Sequence, residues 1–362
     1  MKHIWNVLPN SHMHRLCVGS YTSFPESPGI QVFHLNPVSG KAELLCSQSV
    51  SQNPSFLAFN CKNLYAVNEV MEGNCIDTYA WKDAYKELRH IGRLYVPGSA
   101  MCHVCLWPNG KFLSVSNYMS GNFAVCSLNQ EGIPIKIVQV VQYAGIGHDA
   151  KGRQERSHVH STTPTPDGRS LFTADLGLDR LRSYHTDLTS GLLPACVEEI
   201  SIQAGDGPRH MVFSPDQNHY YLLTEMGNRI YGFQYDCTAK RSYHIQTIST
   251  LEADFTEKNM AADIQITKDG QFLYASNRGC NNLVGFWRDL HSGSLTKIGV
   301  FPLAGKGPRT FNISADGRLV AVACQESGNV LLYRRENETG MIGELLEDIR
   351  VPQAAFAAFL EL

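Results

Sequence analysis

The chain has 362 residues, of which 43% are hydrophobic and 18% charged, and its formal net charge is −3. This composition excludes a disordered chain, and the balanced charge indicates neither a nucleic-acid partner nor a membrane surface. The eleven cysteines are odd in number and scattered through strand-like segments, which is typical of free thiols in a reducing compartment. We therefore expect a cytoplasmic globular protein.

The N-terminal region divides into a tail and the first strand-forming segments. We predict a flexible tail over residues 1–13 and a single folded domain over residues 14–362. The domain opens with "HRLCVGSYTS", a strand that ends near Tyr21. The next unit, "NPSFLAFNCKNLYAVNE", has two apolar runs separated by a polar turn, and it extends from Pro54 to Glu69.

Five further units share one plan: a short apolar run, a turn centred on Asp-Gly or its equivalent, and a second apolar run. They are "CHVCLWPNGKFLSVSNYMSGN" from Cys102, "VHSTTPTPDGRSLFTADLGLDR" from Val159, "PRHMVFSPDQNHYYLLTEMGNR" from Pro208, "ADIQITKDGQFLYASNRGCNN" from Ala262 and "RTFNISADGRLVAVACQESGN" from Arg309. Alternating apolar positions between such turns are typical of strand pairs. The polar residues that open and close each pair are 15 positions apart, as in His160 and Asp175.

Two more strand-like runs lie between successive units, so each repeat of roughly 50 residues supplies four strands. We predict an all-β fold, a seven-bladed β-propeller with four-stranded blades. The C-terminal segment "QAAFAAFLEL" is predicted to pair with the N-terminal strand, because this pairing closes the ring and removes an exposed sheet edge.

The constant separation of 15 positions within each unit predicts which residues lie at the same end of the channel. In a propeller blade the first strand runs along the channel and the second returns, so the start of one and the end of the other share a rim. Ligand sites are expected in such a concave mouth, where polar groups from several blades converge. The predicted rim residues are His103, His160, Arg209, His210, Asp263 and Arg309 at strand starts, and Glu69, Tyr118, Asp175, Glu225, Arg278 and Gln325 at strand ends.

Arginines are unusual at this rim, because turn residues without a functional role are usually Asn, Asp, Ser or Gly. Arg209, Arg278 and Arg309 can bind a carboxylate or phosphate and stabilise an oxyanion. Glu225 and a histidine can move protons. The alternative is that these arginines only form ion pairs between neighbouring blades.

Two further features leave the site open to alternatives. His158 and His160 lie on one face of a strand, and either could reach the channel. The connection of 17 residues at 143–159 is the longest between units, and long loops beside a mouth are often lids or binding loops. Arg153 and Arg156 in this loop are therefore secondary candidates.

Several motifs in order resemble those of the seven-bladed β-propeller lactonase family: "RQERSHVHS", "GDGPRHMVFSPD", "TEMGNRIYGF", "ASNRGCNNLVGF" and "GKGPRTFNISADGRLVAVACQESGNV". The resemblance extends from about Arg15 to the C-terminus. The family includes bacterial 6-phosphogluconolactonases and the fungal carboxy-cis,cis-muconate cyclase. In the cyclase branch a histidine, two arginines and a glutamate are proposed for the active site, and the matching residues here are His160, Arg209, Arg278 and Glu225, with His158 as the competing histidine.

The resemblance implies hydrolysis of a lactone with an anionic substituent, foremost 6-phosphogluconolactone, with no cofactor and no metal. In this hypothesis Glu225 or His160 activates water, and Arg209 and Arg278 stabilise the oxyanion. Arg309 or another rim cation holds the phosphate. The residues predicted to bind substrate are His158, Arg309, His210, His103, Asp175 and Gln325.

Three alternatives remain open: a ring-closing cyclase, a propeller that serves only as a platform for protein partners, and a calcium-dependent lactonase. The calcium ligands would be oxygen atoms of Glu69, Asn117, Glu225 and Asn277. An enzyme differs from a platform in that Arg209→Ala and Glu225→Gln should abolish turnover. We expect their stability to stay within about 0.5 kcal/mol of the wild type, as at exposed positions. The sequence indicates no oligomeric state.

Overall fold

The fold is known from a computed structural model that describes residues 14–24, 26–36, 39–149 and 151–360. Within these residues the chain forms seven four-stranded antiparallel sheets and one short 3-10 helix, Asp83–Tyr85. The predicted tail, residues 1–13, lies outside the described residues. In the described part of the chain, no helix is long and apolar enough to cross a membrane.

Each sheet is one blade, and in blades two to seven the four strands follow one another along the chain. The strands of the first four blades are β1 (His14–Ser20), β2 (Ile30–Leu35), β3 (Ala42–Gln48), β4 (Leu57–Phe59), β5 (Asn63–Val67), β6 (Cys75–Lys82), β7 (Glu87–Tyr95), β8 (Met101–Leu106), β9 (Phe112–Asn117), β10 (Asn122–Leu128), β11 (Pro134–Gln142), β12 (Val159–Pro164), β13 (Ser170–Asp175), β14 (Arg180–His185) and β15 (Cys196–Ser201). The remaining strands are β16 (Pro208–Phe213), β17 (His219–Thr224), β18 (Arg229–Asp236), β19 (Arg241–Ser249), β20 (Ala261–Ile266), β21 (Phe272–Asn277), β22 (Asn282–Arg288), β23 (Leu295–Pro302), β24 (Pro308–Ile313), β25 (Leu319–Cys324), β26 (Asn329–Arg335), β27 (Ile342–Arg350) and β28 (Ala354–Leu360).

The two ends of the domain close the ring. In blades two to seven the innermost strand is the first of the four, whereas the first blade takes β28 as its innermost strand. β28 pairs antiparallel with β1, with Leu16 opposite Phe359 and Val18 opposite Ala357. The predicted seven-bladed fold and its closure are therefore confirmed.

The apolar core lies between neighbouring blades. Phe172 of the fourth blade packs against Phe213 and Tyr220 of the fifth, with ring centroids 5.5 and 5.2 Å apart. Burial of a large apolar side chain of this kind stabilises the fold by about 1.5–3 kcal/mol. Because the next blade covers each apolar sheet face, the blades depend on one another for their stability.

A β-bulge near the start of the innermost strand recurs in five blades, and it determines which side chains enter the channel. The pairing register shifts between Met101 and His103, Val159 and Ser161, Pro208 and His210, Ala261 and Ile264, and Pro308 and Thr310. A bulge inserts an extra residue and changes the direction of its side chain. The inserted residues include His160, Arg209 and Arg309.

Deletion of residues 353–362 removes β28 and leaves the inner edge of β1 unpaired. We expect the free energy of unfolding to fall by far more than the about 3–5 kcal/mol expected for Phe359→Ala, a single large-to-small change in the same strand. Denaturant titration of both variants measures the difference. A deletion variant as stable as Phe359→Ala would contradict the structural role of this closure.

Candidate active site

The channel mouth contains a carboxylate surrounded by arginines. Oε2 of Glu225, which follows β17, accepts a hydrogen bond from Nε of Arg209 at 2.9 Å and lies 3.0 Å from Nη2 of Arg278. Oε1 accepts a hydrogen bond from Nη2 of Arg153 at 2.9 Å. The side chains of Glu225 and Arg209 are each only 2% exposed. These residues therefore form a largely buried ion network built from the fifth blade, the sixth blade and the long loop.

The arginines determine the protonation state of Glu225. Burial raises its pKa, but the three positive charges outweigh burial and lower the pKa to about 2. The carboxylate is therefore ionised at physiological pH and is a weak proton acceptor. Burial and the nearby charge of Arg278 lower the pKa of Arg209 to about 10. Glu225 is thus suited to hold the arginines in place, and poorly suited to take a proton from water.

The burial of this network corrects one expectation about stability. Arg209 and Glu225 are both buried, whereas the sequence-based expectation treated them as exposed. Removing one partner from a buried ion pair costs about 3–5 kcal/mol, because the other charge is left uncompensated. The expectation that Arg209→Ala and Glu225→Gln keep the stability of the wild type is therefore wrong.

Beneath the arginines, three histidines and a phenylalanine form a belt across the channel. The ring of His210 lies 5.3 Å from that of His160 and 5.5 Å from that of His103. Phe56 packs on His103 with ring centroids 4.4 Å apart. Nδ1 of His210 lies 2.9 Å from Oδ1 of Asp263. A cavity of about 330 Å³ adjoins this belt, with Phe56, His103 and Asp263 in its lining.

The belt histidines are neutral at neutral pH. Burial lowers the pKa of all three, and the positive charge of Arg209 adds to this effect. The pKa of His210 falls to about 4, and those of His103 and His160 fall well below the usual value. A neutral imidazole can accept a proton. His160, whose Nε2 lies 3.9 Å from Oε2 of Glu225, is therefore a candidate base beside the arginines.

A second carboxylate, Glu69, lies in the part of the mouth formed by blades one, two and seven. Its Oε2 accepts hydrogen bonds from the hydroxyl groups of Tyr21, at 2.6 Å, and Ser55. Nη2 of Arg309 lies 3.8 Å from the same oxygen, beyond hydrogen-bond distance. Four arginines thus face Glu225 and Glu69 around the neutral histidines, and Asp263 beside the belt is a third carboxylate. Since the arginines outnumber the carboxylates, the mouth is electropositive.

The long loop between the third and fourth blades brings Arg153 into the site. Nη2 of Arg153 also donates a hydrogen bond to the hydroxyl of Tyr118 at 2.8 Å. The neighbouring Gln154 is fully buried, and its Nε2 donates to the carbonyl oxygen of Leu176 at 2.8 Å, which anchors the loop. Arg156, the other secondary candidate, is exposed and pairs with the adjacent Glu155. The structure places only Arg153 of these two at the mouth.

His158, the competing histidine, lies behind Tyr118. The two rings stack at 4.2 Å, and Nδ1 of His158 lies 2.8 Å from the carbonyl oxygen of Tyr118. Its Nε2 lies 3.1 Å from Oε2 of Glu155. His158 therefore supports Tyr118 and the long loop, and the structure places His160 beside Glu225.

Asp175 does not reach the mouth. It is fully buried, and its carboxylate accepts hydrogen bonds from the backbone N–H groups of His158 and Gly177 and from the hydroxyl of Ser157. These contacts organise the turn after β13. Gln325 does lie at the rim after β25, where its Nε2 is 3.5 Å from a side-chain oxygen of the neighbouring first blade.

A shift of one residue explains the misplacement of Asp175. The repeat alignment made His160 the counterpart of His210, whereas the observed strand register makes it the counterpart of Arg209. The fourth-blade counterpart of Glu225 is consequently the apolar residue after Asp175. His160 reaches the channel because it occupies the bulge.

The residues considered for a calcium site take part in other contacts. Glu225 and Glu69 face arginines. Oδ1 of Asn277 accepts hydrogen bonds from the hydroxyl of Thr250 and from Nδ2 of Asn259. Nδ2 of Asn117 donates to Oδ1 of Asn122, and within the described residues its buried Oδ1 has no hydrogen-bond partner. Among the residues that the structure describes, no group of three or more His, Cys, Asp or Glu side chains is arranged to hold a metal ion.

Comparison with known proteins assigns the family. The family model "Lactonase, 7-bladed beta-propeller" matches residues 15–359, and the chain therefore belongs to this family of lactonases. The 6-phosphogluconolactonase of Bacillus subtilis is 29% identical over 95% of this chain and 97% of its own length. The 6-phosphogluconolactonase of Formosa agariphila is 31% identical over 92% of this chain and 96% of its own. A solved structure of a periplasmic gluconolactonase from Pseudomonas aeruginosa has a TM-score of 0.89 and 29% identity, and the match covers 96% of this chain and 99% of that one.

The histidine belt predicts a stability that falls with acidification. His103, His160 and His210 bind protons less readily in the folded chain than in the unfolded chain. Each should therefore contribute a loss of about 1.4 kcal/mol in unfolding free energy per pH unit once the pH falls below about 6.5. Denaturant titrations from pH 7 to pH 5 should show a shallower slope for His103→Phe. The matched control His291→Gln, at an exposed turn, should keep the wild-type slope, and equal slopes for all three proteins would contradict the prediction.

Proposed function

We propose that the protein hydrolyses a sugar lactone that carries an anionic group, and that this substrate is 6-phosphogluconolactone. The observation that carries the proposal is the electropositive mouth, in which arginines outnumber carboxylates beside the neutral His160. The two relatives named 6-phosphogluconolactonase support the choice of substrate, because they match over nearly their full length. The proposed activity belongs to the pentose phosphate pathway.

In the proposed reaction His160 acts first as a base. It accepts a proton from water while the water oxygen attacks the carbonyl carbon of the lactone. The carbonyl oxygen becomes an oxyanion, which accepts hydrogen bonds from the guanidinium groups of Arg209 and Arg278. The tetrahedral intermediate then collapses, and the bond between the carbonyl carbon and the ring oxygen breaks. Protonated His160 returns its proton to the departing ring oxygen, which leaves an open-chain hydroxy acid.

Glu225 contributes to this reaction by fixing the two oxyanion donors. Arg209 and Arg278 approach the same oxygen of Glu225, at 2.9 and 3.0 Å, so their relative positions are set before substrate binds. Donors that are already in place need no reorganisation when charge develops, and this is the main source of such stabilisation. Both oxygens of Glu225 are occupied by arginines, so the proposal assigns proton transfer to His160, whose Nε2 lies 3.9 Å from Oε2 of Glu225.

Arg153 is assigned to the phosphate. Its side chain is 44% exposed at the outer edge of the mouth, where a phosphate can keep part of its hydration. Arg309, which the sequence favoured for this role, faces Glu69 at 3.8 Å. A phosphate bound there would meet the negative charge of Glu69, whereas the charge of Glu225 beside Arg153 is also offset by Arg209 and Arg278.

We also propose a cytoplasmic location. All eleven cysteines are free of disulfide bonds. Free thiols in this number are typical of a reducing compartment.

The purified protein is expected to open 6-phosphogluconolactone faster than the spontaneous reaction, as measured by acid release. A chelator should have no effect, because Glu225 and Glu69 face arginines and Asp263 pairs with His210. The variant His160→Gln should lower kcat by about 10²- to 10⁴-fold, the range for loss of a general base, and His291→Gln should not. Chelator sensitivity, or full activity of His160→Gln, would contradict the mechanism.

The assignment of the phosphate is tested with two lactones, 6-phosphogluconolactone and glucono-1,5-lactone. Arg153→Ala should lower kcat/KM for the phosphorylated lactone by about 10- to 100-fold more than for the other, since hydrogen bonds to charged groups contribute about 1.5–3 kcal/mol. Arg156→Ala is the matched control from the same loop, and it should leave both values unchanged. Equal losses on both lactones for Arg153→Ala would show that Arg153 acts only through Glu225.

A further inference from the structure

We propose that Glu69, Arg309 and Tyr21 form a subsite that binds the ring hydroxyl groups of a sugar lactone and thereby selects polyhydroxylated substrates. The inference rests on the proposed function, because it specifies the substrate class of the same mouth. The three residues come from three blades: Tyr21 follows β1, Glu69 follows the segment β5, and Arg309 lies at the start of β24.

Glu69 has one oxygen that is held by the protein and one that is available. Oε2 accepts hydrogen bonds from the hydroxyl groups of Tyr21 and Ser55. Among the described residues, no hydrogen bond reaches Oε1, and the side chain is 18% exposed. The partners of Oε2 fix the orientation of the carboxylate, so Oε1 is an acceptor with a set direction. A ligand hydroxyl group is a suitable donor for it.

Arg309 supplies donors beside this acceptor. Its Nη2 lies 3.8 Å from Oε2 of Glu69, which is too far for a hydrogen bond. Its guanidinium carbon lies 5.3 Å from the centre of the Tyr21 ring. Within the described chain no hydrogen bond uses its N–H groups, and the side chain is 16% exposed. A hydroxyl group between the two side chains can donate to Glu69 and accept from Arg309.

The charges at this subsite favour a neutral polar ligand. Glu69 repels a phosphate or carboxylate group, and Arg309 repels an ammonium group. A hydroxyl group carries no charge and is both donor and acceptor, so it satisfies both side chains. The ring of Tyr21 adds an apolar surface against which the C–H groups of a sugar ring can pack. The dicarboxylate substrate of a muconate-type cyclase would meet the carboxylate of Glu69.

The subsite is coupled to the reacting centre through Arg309. Burial and the positive charge of Arg309 both lower the pKa of Arg278, which is one of the two proposed oxyanion donors. The two guanidinium groups therefore lie close enough to interact across the mouth. In the proposed binding mode, a lactone whose carbonyl oxygen binds Arg278 places its ring hydroxyl groups near Arg309 and Glu69.

The test compares glucono-1,5-lactone, which carries ring hydroxyl groups, with δ-valerolactone, which has the same ring without them. For Glu69→Gln, kcat/KM for glucono-1,5-lactone should fall by about 10- to 100-fold, while the value for δ-valerolactone stays within about threefold of the wild type. Tyr21→Phe, which removes one partner of Oε2, should give a smaller loss with the same selectivity. The matched control Glu326→Gln, an exposed acid after β25, should change neither value.

The outcomes distinguish a failure of the hydroxyl subsite from a failure of the proposed lactonase function. Equal losses on both lactones would overturn the hydroxyl subsite, because Glu69 would then act on the mouth as a whole. If the wild type opens neither lactone, the proposed function fails, and calorimetric binding of D-gluconate tests the subsite independently. Affinity at least about tenfold weaker in Glu69→Gln than in the wild type supports the subsite, whereas equal affinity or no binding overturns it.

Discussion

Mutual repulsion among arginines is the physical constraint on which the channel mouth depends. Arg153, Arg209 and Arg278 surround the same carboxylate, and Arg209 is almost completely removed from water. Charges interact more strongly where water is excluded, so this arrangement is stable only because Glu225 lies among them. The carboxylate is consequently held in its ionised form with both oxygens occupied by arginines, and the neutral His160 lies beside it.

The bulges and strand ends of the blades determine where the charged side chains of the mouth lie. Five blades have a bulge near the start of the innermost strand, and the mouth is lined by residues at such bulges and by residues that follow second strands. The chemistry differs among blades because residue types differ at equivalent positions: His160, Arg209 and Arg309 occupy bulges, whereas Tyr118, Glu225 and Arg278 follow second strands. The histidine belt below them is neutral, so it adds no further positive charge to the floor of the site.

The fold was predictable from local patterns, whereas the site was predictable only in part. Alternating apolar runs and Asp-Gly turns recur at a regular spacing, and that spacing determines the blades and places Arg209, Glu225 and Arg278 at one mouth. A β-bulge leaves no comparable signal in the sequence. For this reason the alignment of the repeat units misplaced Asp175 and could not determine whether His158 or His160 reaches the channel. The contact between Arg153 and Glu225 joins a long loop to the fifth blade. No spacing rule encodes this contact, because it depends on how the anchored loop crosses the mouth.

The first blade is built from both ends of the domain, and this has a consequence for protein synthesis. Tyr21 emerges from the ribosome early, but the innermost strand of its blade, β28, is among the last segments to be translated. Until then β1 has one open edge, which can pair with a strand of another chain. A nascent or prematurely terminated chain is therefore an aggregation risk, and the channel mouth is complete only when translation has reached the end of the domain.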